Sequence, residues 1–135
     1  MRQRFCQSQR STLIIPLHSG LKILMRSRSS LSWKARTEGV ASNTTPEELL
    51  AASHASCFSM ALSHALAQGG HAPRRLETAC TVEFGPKAGG GFEVKGQVPG
   101  IDQAAFQKAA EDAKSGCPIS AALKIPMKVK ATLQG

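Results

Sequence analysis

From Thr44 to Gln68 apolar residues fall on nearly every side of a helical wheel. Leu49, Leu50, Ala55, Phe58, Met60, Leu62 and Leu66 leave no wide polar stripe, the pattern of a central helix packed on several sides. Thr45 can cap this helix, Pro46 suits its first position and Glu48 closes a T-x-x-E capping box. Gly69-Gly70 stops it. The period then changes from helical to alternating. In "ETACTVEFGP", Ala79, Thr81 and Glu83 fall on one side of a strand and Cys80, Val82 and Phe84 on the other. "KAGGG" reads as a turn and "GFEVKGQV" as a short second strand ended by Pro99-Gly100. Asp102 caps a second helix, with Ile101 and Phe106 placed as a hydrophobic staple and Gly116 as its stop. Pro118 opens a short helix, "PISAALK", and "MKVKATL" alternates like a final strand. Helix, two strands, helix, short helix and strand make an α+β fold.

Length and charge change this picture at one end only. The 135 residues suit one domain, long enough to bury a core without disulfide staples. No run approaches the roughly 18–20 consecutive apolar residues of a membrane span. The formal net charge of +8 resembles a nucleic-acid or membrane signal, but it is not spread over the chain. Residues 1–36 hold eight Lys/Arg and no acid, whereas residues 37–135 hold nine of each sign. The domain is therefore neutral, which argues against nucleic-acid or membrane binding by its surface. Residues 1–33 stand apart as an atypical basic segment before a domain of residues 34–135. That segment fits a transit peptide, a basic arm, a stretch not native to the domain, such as a frameshifted start, or an ordinary structured start.

Cys6, Cys57, Cys80 and Cys117 form no CxxC pair, and no His or Cys spacing matches a zinc site. A reducing compartment, here the cytoplasm, fits four such cysteines. Cys57 lies about three turns into the apolar helix, beyond the reach of its dipole, and burial raises a thiol's pKa. A reactive thiolate there needs a cation, for which Arg36 is the candidate. Glu47, in the first turn, could orient that arginine through a bidentate pair. Cys117 sits between a helix stop and a Pro-initiated helix, where free backbone N–H groups favour an anion. One thiol that attacks and one that resolves would fit this pair. Each residue also has a plain alternative. Cys57, Cys80 and Cys117 can be packing, Glu47 a charge favouring the dipole, and Arg36 a solvated side chain. His54, one turn before Cys57, is either a general base or a polar residue satisfied by backbone or water.

"NTTPEELLAASHASCFSMALSHAL", "VPGID" and "AKSGCPISAAL" together resemble the OsmC family, the osmotically inducible hydroperoxide reductases. The likeness covers about residues 34–135. It implies an OsmC-like fold of central apolar helices on an antiparallel sheet, in an intertwined homodimer. It further implies a thiol peroxidase without metal or organic cofactor. Cys57 would be the peroxidatic thiol, Cys117 the resolving thiol, Arg36 the activating cation and Glu47 its partner. An organic hydroperoxide would be the substrate, with hydrogen peroxide a poorer one, and a lipoyl- or thioredoxin-type dithiol the reductant. A copy that keeps these residues without activity is the alternative. The chain departs from the family pattern at residues 1–33 and between Phe92 and "VPGID", where "EVKGQ" leaves only a stub of strand.

Overall fold

The computed structural model describes the backbone of residues 10–16 and the whole of residues 45–83 and 88–134. Its elements are β1 (Arg10–Pro16), α1 (Pro46–Gln68), β2 (Arg75–Glu83), β3 (Gly89–Gln97), α2 (Gln103–Gly116), α3 (Pro118–Leu123) and β4 (Met127–Leu133). The fold is α+β, with helices packed on one small sheet of order β1-β2-β3-β4. The start of α1 is as its sequence predicts. Thr45 Oγ1 accepts from the Glu48 N–H at 3.2 Å, and Glu48 Oε2 accepts from the Thr45 N–H at 3.0 Å. By length and composition α1 could cross a bilayer. Here its stripe of Ala51, Ala55, Phe58, Leu62 and Leu66 is buried in the core.

The sheet differs from the expected antiparallel one in a single pairing. β1–β2 and β2–β3 are antiparallel, but β3 and β4 run parallel. The reason is the connection. A tight turn joins antiparallel neighbours, whereas two helices between β3 and β4 carry the chain back to the end where β3 began. Leu76, Thr78, Cys80 and Val82 of β2 lie beneath the helices with Phe92 and Val94 of β3 and Ala131 of β4. α1 lies over β1 and β2, and α2 over β4.

β3 is not a stub. Gly89, Gly90 and Gly91, read above as a turn, extend it to nine residues, all paired with β2. Glycine is needed at Gly90, where a Cβ would fall on the backbone oxygen of Thr81. At Gly96, a Cβ would stand 2.5 Å from Cζ of Phe106, so the missing side chain makes room for that buried ring. β1 adds seven residues of the basic N-terminal segment to the sheet.

The outer edge of β4 is covered by side chains of α2. Gln103 Nε2 donates to the Ala131 carbonyl and Gln103 Oε1 accepts from the Leu133 N–H, both at 2.8 Å. Gln107 repeats the pattern one turn on, with Oε1 accepting from the Ala131 N–H at 2.8 Å and Nε2 donating to the Val129 carbonyl at 3.1 Å. Lys114 Nζ reaches the Met127 carbonyl at 3.3 Å.

Candidate active site

α1 and the turn between α2 and α3 bring two thiols together. Cys57 Sγ and Cys117 Sγ are 3.2 Å apart, both reduced. Cys57 is half-buried and Cys117 is fully buried. The helix stop at Gly116 and the Pro118 start make Cys117 both the C-cap of α2 and the N-cap of α3. That junction also sets the polarity around Cys57. Burial pushes the Cys57 thiol up, a hydrogen bond from the Ile119 N–H pulls it back, and nearby Cys117 pushes it up again. The free amide of α3 that sequence reasoning gave to Cys117 thus serves Cys57. Among the described residues nothing reverses the upward shift, so a reactive Cys57 thiolate requires a cation from elsewhere.

Arg36, the expected cation, lies outside the described residues. Glu47 is half-buried in the first turn of α1. Ten residues of helix separate it from Cys57, about 15 Å along the axis, so it does not touch the thiol directly. Cys80 is buried on β2, pushed up to about 12 by burial and then by Cys117, which matches the packing reading.

His54 is fully buried one turn before Cys57. Its Nε2 lies 2.8 Å from Ser120 Oγ of α3, and its ring meets the edge of Phe92 with centroids 4.7 Å apart. Of the two readings it fits the buried polar residue, but with a hydroxyl as partner of Nε2 rather than backbone or water, and with Nδ1 without a hydrogen-bond partner among the described residues. Sequence reasoning missed this partner because 66 residues separate the two. Burial lowers the pKa of His54 below the ordinary 6.5. The unfolded chain therefore takes up a proton near pH 6.5 that the folded chain refuses. Stability is expected to be insensitive to His54 above that pH. It should fall as pH drops below it, until the lowered value is reached. Urea midpoints of the parent and His54→Gln between about pH 8 and about pH 5 check this, because the variant loses this part of the slope.

A pair of reduced thiols this close, on a capped helix and a helix junction, can interconvert between dithiol and disulfide. Among the described residues no group of His, Cys, Asp and Glu could hold a metal ion. The profile of the OsmC-like proteins matches residues 39–132, which span both cysteines. The chain belongs to the OsmC-like protein family.

This OsmC-like chain is 42% identical over 88 residues to the peroxiredoxin OsmC of Escherichia coli (strain K12), an alignment covering 60% of the chain and 61% of that relative. It therefore spans 61% of the length of that curated relative. Its fold is similar to the crystal structure of an OsmC-like protein from Mycoplasma pneumoniae, with a TM-score of 0.63, 14% identity, and coverage of 75% of this chain and 79% of that one. It is also similar to the organic hydroperoxide resistance protein OhrB of Bacillus subtilis, with a TM-score of 0.52, 26% identity, and coverage of 68% and 71%.

Proposed function

We propose that this chain is a thiol peroxidase that reduces organic hydroperoxides, and hydrogen peroxide less well, in oxidative or osmotic stress in the cytoplasm. The observation that carries the reading is the 3.2 Å approach of Cys57 to Cys117. Its relatives' names point the same way: one is a peroxiredoxin and another confers resistance to organic hydroperoxides.

The Cys57 thiolate attacks the terminal oxygen of the hydroperoxide. The O–O bond breaks, and the departing alkoxide takes a proton and leaves as alcohol. Cys57 is left as a sulfenic acid. Cys117 attacks that sulfur, the S–S bond forms and water leaves. For this the two sulfurs close from 3.2 Å to about 2.0 Å. A lipoyl- or thioredoxin-type dithiol reduces the disulfide by two exchanges and is itself oxidised. Arg36 supplies the positive charge that offsets the burial of Cys57, and Glu47 holds the guanidinium. No metal or organic cofactor takes part in this scheme.

A homodimer fits the surface of α1. Met60 is 58% and Leu49 37% exposed on this helix, and a second copy would cover them. The experiment that tests the reading is consumption of an organic hydroperoxide by the full chain with a dithiol reductant, beside Cys57→Ser.

A further inference from the structure

The geometry points to His54 as a positioning residue that clamps α3 to α1, so that Cys117 and the Ile119 N–H stay at the Cys57 sulfur. The inference rests on reading Cys57 and Cys117 as a redox pair, and it concerns what holds that pair in register.

The clamp spans the same two elements as the sulfurs. His54 is one turn before Cys57 on α1, and Ser120 is three residues after Cys117 in α3. Among the described residues the polar links between these helices are the His54–Ser120 bond and two contacts of Cys57 itself, with Cys117 Sγ and the Ile119 N–H. Beyond these links α3 is fixed by Ile119, a partly buried side chain packed against the core. A six-residue helix with partly buried side chains but none fully buried is held only weakly by packing. Its docking therefore depends unusually on single polar contacts.

His54 is built for this role more than for proton transfer. Its Nδ1 is buried and has no hydrogen-bond partner among the described residues. A bare ring nitrogen there loses less than an unpaired N–H would. The hydrogen therefore sits on Nε2, which donates to Ser120 Oγ at 2.8 Å. The edge contact with Phe92, itself stacked on Phe58 at 4.2 Å, fixes the ring plane against the core. One end of the clamp is thus seated among buried aromatic rings of the core, and the other holds a six-residue helix with no fully buried side chain.

The test measures disulfide formation without peroxide. The full chain is equilibrated in a glutathione redox buffer, and the Cys57–Cys117 disulfide is quantified by mass mapping. The effective concentration of the two thiols follows from the buffer ratio. His54→Ala and Ser120→Ala are each expected to lower it roughly threefold to tenfold, the scale of one neutral hydrogen bond. The double variant should lose no more than either single one, because both remove the same bond. His54→Gln, whose amide reaches the place of Nε2, should restore the parent value, while the shorter His54→Asn should not. Ser120→Ala removes only a partly exposed hydroxyl, so it remains informative if a His54 variant folds poorly. Unchanged values, additive losses, equal rescue by Asn and Gln, or a parent that forms no Cys57–Cys117 disulfide would each overturn the inference. A parent that forms the disulfide in this buffer but consumes no hydroperoxide would sink the peroxidase reading alone.

Discussion

Cys57→Ser will reduce hydroperoxide consumption to the rate seen without protein, a loss on the order of 10³-fold or more, the scale at which removal of a covalent nucleophile registers. A serine hydroxyl is of similar size but does not form a stable oxygen adduct that a thiol can resolve. The folded state should survive the change, because Cys57 is half-buried and serine fills nearly the same space. Cys117→Ser separates the two steps. This variant should consume about one equivalent of peroxide and then stop, leaving Cys57 one oxygen heavier and open to trapping by a sulfenic-acid reagent. Turnover that persists in Cys57→Ser would transfer the chemistry to another thiol. Steady turnover in Cys117→Ser would remove the resolving role from Cys117.

Phe92→Ala is expected to cost about 3–5 kcal/mol, the range for a buried phenylalanine cut to alanine. That is a large share of the roughly 5–15 kcal/mol by which a domain is normally stable. Phe92 is 1% exposed and lies at the crossing of several contacts. Its ring stacks on Phe58, receives the edge of His54, and sits on a strand position paired with Cys80 and Val129. The loss should appear as a lower urea midpoint at nearly unchanged slope. A cost below about 1 kcal/mol would mean that the core relaxes into the gap.

The parts of this fold legible in the sequence are those fixed by neighbours along the chain. Thr45, Pro46 and Glu48 mark the start of α1 because capping is a matter of three or four residues. Gly116-Cys117-Pro118 marks a junction for the same reason. The alternation of Leu76, Thr78, Cys80 and Val82 identifies the buried face of β2. What could not be read depends on a distant partner. Gly89–Gly91 look like a turn until β2 is placed beside them, where Gly90 must lack a side chain to approach the Thr81 carbonyl. The direction of β4 follows from two intervening helices, a clue present in the order of elements but absent from the strand itself.

The site divides in the same way. The two thiols could be singled out, and the fold brings them to 3.2 Å. The helix start at Pro118 suggested an amide for an anion, yet local sequence could not say that Cys57, 60 residues away, would receive it. His54 stands out in the sequence only by its place one turn before Cys57 and Ser120 not at all, and their partnership appears only when α3 folds back on α1. Arg36 and Glu47 carry the remaining electrostatic part of the proposal.

The glutamine ladder of α2 has a consequence for how this molecule meets others. Val129, Ala131 and Leu133 would offer a row of open backbone groups to any extended peptide, the usual opening for strand addition and cross-β growth. Gln103 and Gln107 occupy those groups with amides that imitate a neighbouring strand. An intruding chain must first expel two bidentate side chains, each anchored in a turn of helix. The sheet is therefore sealed on this flank, and any growth by added strands is directed away from β4.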